Sequence, residues 1–404
     1  MKNVLLITAL SLMAMPALAQ PKAEAPAGGQ ASLAELPHWP IGLRLSDELA
    51  GERVAKKKDR KADVLIWLPP NAKKIRAMFV LPDNTDSKNF HEYEALRKVA
   101  TKHEAAIVYL RGFFTGIEYH HAKPTETPPA KPQAILELME VLVKETGIQE
   151  FRHAPWITFG KSSRGEFPFR MGWLYPERTI AGMTYHGESP TWPIPQYAKP
   201  QDQTILYCAA NGEQEWDGTW YRAVRPFMLN YRAKTEWLPH QVVGVGVGHG
   251  NYVDAHGSKG WGQPVPEGTM SVLRIWDYLA LFADKALTLR LPEQGYPTDG
   301  PLKLRQVDPA GGYLVHPRAI EELLGSKWMA FRKKDGEYQG IPWPQEKHPV
   351  LDTEQGKIDP KLLIRKATDV PEGERQDYFW IADKELAEAW LKLHNVKNKE
   401  VPIP

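Results

Sequence analysis

The 404-residue chain has a single cysteine, Cys208, so no disulfide can form within it. It has no surplus of either charge: 51 Lys and Arg stand against 49 Asp and Glu, for a net charge of +2. That balance gives no reason to expect nucleic acid or an anionic membrane as partner. Beyond the N-terminus it lacks any apolar run approaching the ~20 residues that cross a bilayer. It lacks internal repeats, and its only biased segment is residues 20–35. The paired His120 and His121 fall in a loop without metal-ligand spacing, which suits a solvent or pocket-rim role.

What is present begins with an export pattern. Lys2 precedes a largely apolar stretch at 4–15, and Ala17-Leu18-Ala19 offers small residues for cleavage before Gln20. This predicts a signal peptide over 1–19 and a periplasmic or secreted protein. The apolar stretch is short for a membrane anchor, and no cysteine follows the cleavage site, which argues against a lipoprotein. Residues 20–35, rich in Ala, Pro and Gly, read as a disordered leader. An exported chain without disulfides needs a core large enough to hold itself together. The 14 tryptophans serve either packing or stacking on sugar rings and aromatic acids.

Hydrophobic patterning predicts early strands within 42–68, then strands at 75–81, 105–110, 156–159, 179–185, 204–210 and 242–247. Helical spacing falls at 90–103, 132–145 (closed by Gly147), 166–175, 219–232 and 270–287, with a loop at 82–86. Many of the strands are apolar throughout and alternate with helices. That predicts an α/β fold with a mainly parallel sheet covered by helices on both faces. Functional groups in such sheets collect beyond the carboxyl ends of the strands. After Leu289 the pattern breaks into Pro- and Gly-rich turns, with helices expected at 317–324 and 384–394. The expected organisation is therefore a main domain over 36–287 and a C-terminal extension over 288–404 packed on it.

The stretch most informative about chemistry is Trp-Ile-Thr-Phe-Gly-Lys-Ser-Ser-Arg-Gly at 156–165. A strand runs into a Gly-x-Ser turn and then into a helix, the layout that exposes a nucleophilic serine above a sheet. Small residues are needed because the turn is tight and strained. Ser162 has Gly160 two residues before it but Arg164 two after. Ser163 has Gly165 two after but Lys161 two before. Strand registry favours Ser162. A phosphate-binding loop is a poor alternative for Gly-Lys-Ser, since Pro155 occupies the place of its first glycine. A serine needs a base and an acid to orient that base. His249 follows Val-Gly-Val-Gly at a predicted strand end, with His186, His153, His240 and His256 as weaker candidates. Carboxylates after the 204–210 strand are Glu213, Glu215 and Asp217, and Glu188 follows the 179–185 strand.

On these residues, 75–287 resembles an α/β-hydrolase. It is similar to exported esterases of the polyhydroxybutyrate-depolymerase and feruloyl-esterase type, through Gly160 to Gly182 including Tyr175-Pro176-Glu177-Arg178. The Gly-x-Ser-x-x-Gly spacing also resembles glucuronoyl esterases. The resemblance implies the chain order Ser, acid, His: Ser162, Glu215 by the Gly-x-x-acid spacing from Gly212, and His249. It implies an oxyanion hole from the Ser163 N–H and from the loop after Leu81, near Asn84 or Thr85; an Asx-turn is the competing reading of that loop. Arg164, Lys161, Trp192, Trp216 and Trp220 are candidate substrate contacts, with an ion pair to Glu166 or Glu188 the competing role for Arg164 and Lys161 and simple packing that for the tryptophans. The implied activity is hydrolysis of small-molecule or polysaccharide esters, of carbohydrates or aromatic acids, with no metal or organic cofactor. A peptidase on the same fold and a glycan-binding protein with a decayed site are the alternatives.

Overall fold

The computed structural model describes residues 63–70, 72, 74–111, 132–187, 192–213, 215, 220–249, 269–324 and 357–404, with the backbone of short strands at 39–41, 251–254, 257–260, 333–334 and 337–338. The predicted signal peptide and leader, together with His120, His121, Glu188, Trp216, Asp217 and His256, lie outside the described residues.

The central sheet is built from β1 (Trp39–Ile41), β2 (Asp63–Trp67), β3 (Ala77–Pro82), β4 (Ala105–Arg111), β5 (Trp156–Lys161), β6 (Thr179–Tyr185), β7 (Ile205–Gly212) and β8 (Trp237–Gly244). These eight strands lie in the order β1-β2-β4-β3-β5-β6-β7-β8. From β4 to β8 every neighbouring pair is parallel, while β2 runs antiparallel to both β1 and β4. The strand order and the single reversed strand are those of the α/β-hydrolase fold.

Helices cover both faces, and the sheet's period of two sorts its side chains between them. Met78, Val80, Val108 and Leu110 pack with Ile135, Leu138 and Leu142 of one helix cluster. The alternating Phe79, Leu81, Ile107 and Tyr109 pack with Leu96, Ile275 and Leu279 on the other face. The helices are α1 (Thr85–Glu92), α2 (Glu94–Lys102), α3 (Ala134–Thr146), α4 (Glu166–Leu174), α5 (Trp220–Ala223), α6 (Arg225–Lys234), α7 (Val272–Arg290), α8 (Ala319–Leu324) and α9 (Lys384–His394). Gly147 ends α3 in the left-handed region, at φ 75°, where glycine carries no steric cost. Among the described residues no helix is long and apolar enough to cross a membrane.

Three expectations need correcting. The single helix predicted at 90–103 is two helices that meet at Tyr93, whose φ of −70° and ψ of 125° are extended. The first of them begins at Thr85, inside the predicted loop. The helix predicted at 219–232 likewise splits, into α5 and α6, with Pro226 in the first turn of α6. Proline is favoured there because its missing N–H would have no partner anyway. The strand predicted at 242–247 runs from Trp237 to Gly244. Its polar first half hid it: His240 and Gln241 are buried, His240 meets Tyr278 Oη at 3.0 Å, and Gln241 Oε1 accepts from Arg225 Nε at 2.8 Å.

Two short antiparallel ribbons follow the central sheet: β9 (Asn251–Asp254) with β10 (Gly257–Gly260), and β12 (Lys333–Lys334) with β13 (Glu337–Tyr338). Residues 288–404 also contain an antiparallel three-stranded sheet made of β11 (Tyr313–Val315), β14 (Ile364–Lys366) and β15 (Phe379–Ile381), with β11 in the middle. The C-terminal region is bonded to the central sheet through buried groups. Trp390 Nε1 donates to the Gln241 carbonyl at 2.7 Å, and His394 Nε2 accepts the Val243 N–H at 2.9 Å. Arg225 Nη1 reaches Glu321 at 2.7 Å.

Candidate active site

The turn after β5 is shaped by its backbone. Ser162 has φ of 53°, in the left-handed region that a non-glycine residue enters only under constraint. A 3-10 turn over Ser162–Gly165 follows, and α4 starts directly after it at Glu166. A Cβ on Gly160 would lie 2.0 Å from the Arg164 carbonyl oxygen and 2.8 Å from Pro168 Cδ. Gly160 is therefore obligatory. The same contact explains why arginine is tolerated where a small residue is usual. The atom that closes on Gly160 is the backbone oxygen of residue 164, so its side chain can point away from the turn. The Arg164 side chain is buried and its Nε donates to the Asp83 carbonyl at 3.3 Å.

Three strand ends bring the reactive groups together. Ser162 Oγ lies 2.9 Å from His249 Nε2, and His249 Nδ1 lies 3.3 Å from Glu215 Oε2. Glu215 is fully buried, whereas His249 keeps a quarter of its side chain exposed. Of the carboxylates considered, Glu213 plays a different part. Its Oε2 accepts the Gly246 N–H at 2.9 Å and so pins the loop after β8. Gly246 itself has φ of 69°. Gly212 cannot carry a side chain, because a Cβ there would meet the Val247 carbonyl oxygen at 2.2 Å. The loops after β7 and β8 are thus packed backbone to backbone, which sets Glu215 beside His249.

A second imidazole shares the carboxylate. His186, fully buried at the end of β6, bonds through Nδ1 to Glu215 Oε1, which also accepts the Gly212 N–H. Burial alone would raise the Glu215 carboxyl. The imidazoles of His186 and then His249 more than offset it, and hold the group at about 2. Burial pushes His186 the other way, below its ordinary value, and favours its neutral form. The donor atoms of His186, Glu215 and His249 all lie within 4.8 Å of one another. Their hydrogen bonds join them to Ser162 as one relay, in which both carboxylate oxygens accept from imidazole.

The loop after β3 is fastened to the elbow. Asn84 Nδ2 donates to the Lys161 carbonyl at 3.1 Å, and Lys161 Nζ forms a buried ion pair with Asp86 in the first turn of α1. With Arg164 on the Asp83 carbonyl, three bonds join residues 83–86 to residues 161–164. The side chain of Asn84 is thereby committed to the elbow, not to an Asx-turn, and Thr85 contributes the first residue of α1. Ser163 follows the serine at the start of the 3-10 turn. Trp192 is a core residue: it is 7% exposed, its ring lies 5.3 Å from Phe169, and its carbonyl accepts from Tyr231 Oη. Glu166 forms a buried ion pair with Arg170, one turn further along α4. Sequence reasoning ranked His186 low and did not single out Asp86. The available signals were the strand-terminal position of His186 before Gly187 and the position of Asp86 just past a strand.

Comparison with protein-family models finds no match, and neither does comparison with curated protein sequences. Among solved structures the chain is similar to the fluorophosphonate-binding serine hydrolase F of Staphylococcus aureus, at 12% identity over 46% of this chain and 86% of that one, with a TM-score of 0.32. It is similar to the siderophore hydrolase EstA of Aspergillus nidulans, at 12% identity over 48% and 86%, TM-score 0.37. A carboxylesterase of Bacillus cereus aligns at 12% identity over 58% of this chain and all (100%) of that one, TM-score 0.35. These likenesses concern the fold.

Proposed function

We propose that the protein is an exported serine hydrolase that cleaves carboxylic esters through an acyl-enzyme. The observation that carries this reading is the hydrogen-bonded chain from Ser162 Oγ through the His249 ring to Glu215, set on a left-handed turn at the carboxyl end of the central strands. Ser162 Oγ attacks the ester carbonyl while His249 Nε2 takes its proton. The tetrahedral oxyanion is met by the Ser163 N–H and by backbone N–H groups near Asn84 and Thr85, each worth about 3 kcal/mol in the transition state. Collapse expels the alcohol, which leaves with the proton held on His249. Water then attacks the acyl group, again giving its proton to His249. Release of the carboxylic acid returns that proton to Ser162 Oγ. Glu215 holds the ring tautomer and balances its transient positive charge.

The likeness of residues 160–182 to exported esterases supports a carbohydrate or aromatic-acid ester as substrate, and the 1–19 pattern supports export. The main domain is taken as 36–287 and the extension as 288–404. The test is a side-by-side assay of p-nitrophenyl, acetyl-xylan, feruloyl and glucuronoyl esters with a peptide anilide. The wild type is expected to hydrolyse at least one ester and to leave the anilide intact, and Ser162→Ala to be slower by a factor on the order of 10⁴. Ester turnover that survives in Ser162→Ala, or preferential cleavage of the anilide, would contradict the proposal.

A further inference from the structure

The arrangement proposed for catalysis uses one histidine, yet the carboxylate holds two. We infer that His186 is a positioning residue for the acid: its Nδ1–H fixes the Glu215 carboxylate so that Oε2 is turned to His249. The inference rests on the reading of Ser162, Glu215 and His249 as a catalytic relay and adds to it a member that does not touch substrate.

Four observations carry it. His186 is fully buried and its Nδ1 is bonded to Glu215 Oε1. Its Nε2, also buried, has no partner among the described residues. A proton there would be a buried, unsatisfied donor, so the proton sits on Nδ1 and is given to the carboxylate. The backbone of His186 is strained, with φ of 49°, and a Cβ on the following Gly187 would come 2.8 Å from Thr184 Cβ and 3.3 Å from Gly165 Cα. A non-glycine residue held in the left-handed region, directly before a glycine that cannot be replaced, is what a demand on one side chain's direction produces. Finally, the two carboxylate oxygens divide the bonds between them: Oε1 takes His186 and the Gly212 N–H, leaving Oε2 for His249.

The charged and titratable groups that bear on His186 come from the ends of three other strands. They are Glu215 after β7, His249 after β8, and Lys161 at the end of β5. Lys161 is already paired with Asp86 of α1. From the helix beneath β6, Trp276 of α7 faces Tyr185, with ring centres 6.4 Å apart. Removing the His186 donor leaves the Glu215 carboxylate under-satisfied in a buried site. A carboxylate with fewer donors draws more strongly on the ring N–H of His249, so the proton on the base is held more tightly and the acid limb of kcat/KM moves to higher pH.

The experiment compares the wild type with His186→Phe, His186→Asn and Ser162→Ala on p-nitrophenyl acetate across pH 4 to 9. The His186→Phe kcat is expected to fall on the order of 10²-fold, as losing a hydrogen bond to a charged group implies. KM should change little and the acid limb should shift upward. His186→Asn, whose amide N–H can stand where Nδ1 stood, should restore the limb and most of kcat. A second reading needs no variant at His186: the proton spectrum of the wild type should hold two strongly downfield imidazole N–H resonances, of which His249→Ala removes one. Unchanged kcat and acid limb in His186→Phe, or a single downfield resonance in the wild type, would overturn the inference while leaving the triad standing. Full activity in Ser162→Ala would instead overturn the triad itself.

Discussion

At residue 160 the room for a side chain is zero. A methyl group there would sit 2.0 Å from the Arg164 carbonyl oxygen, well inside contact distance and against backbone that cannot swing away. Gly160→Ala is expected to abolish esterase activity and to cost about 3 kcal/mol or more of stability, read as a lowered urea midpoint. Ser163→Ala is expected to keep activity within about tenfold of wild type, because the proposed mechanism uses the N–H of residue 163 and not its hydroxyl. The sequence left these two serines in competition, since Gly160 favoured one and Gly165 the other. The 3-10 turn resolves the conflict by taking up one extra residue before α4 begins. Spacing alone could not show that the backbone of Arg164, not its side chain, closes on Gly160.

At the scale of elements, the elbow and the loop after β3 act as one piece. Lys161 is 2% exposed and Asp86 fully buried, and their ion pair sets opposite charges together inside the protein. Lys161→Met removes the ammonium paired with the buried Asp86 carboxylate and is expected to destabilise by about 3–5 kcal/mol. Replacing both, as Lys161→Met with Asp86→Leu, should recover much of that loss while kcat stays low, because the loop after β3 has lost one of its three bonds to the elbow. Equilibrium urea unfolding and steady-state kinetics on the same variants check both statements. This clamp was not legible in the sequence: Pro82-Asp83-Asn84 carries strong turn signals, and α1 is polar enough to pass for loop. The apolar strands β3, β4, β5 and β6 were legible from composition alone. The first half of β8 was not, because the partners that satisfy His240 and Gln241 lie far away in the chain, on α7 and α6.

At the scale of the molecule, the central sheet and the C-terminal region share buried polar groups. His394 accepts the Val243 N–H, and within the main domain His240 of the same strand meets Tyr278 of α7. Burial depresses both histidines from 6.5 to about 3. In the unfolded chain they take up protons near their ordinary value, so their stabilising effect is complete above about pH 6.5 and is lost as pH falls toward 3. Melting temperature is expected to drop steadily from pH 7 to pH 4, with a loss on the order of a few kcal/mol. His394→Gln should flatten that slope, and an unchanged slope would show that His394 does not carry it. No sequence pattern identified His394 as a sheet partner, since the contact joins residues 243 and 394. The order of serine, acid and histidine could be read along the chain because each follows a strand, and the fold collects strand ends at one edge. Whether an alcohol, an imidazole and a carboxylate meet at that edge is tested most directly by fluorophosphonate labelling with peptide mapping. One adduct on the peptide containing Ser162 is expected, absent in Ser162→Ala and strongly slowed in His249→Ala. An adduct on another peptide, or labelling of undiminished rate in His249→Ala, would contradict it.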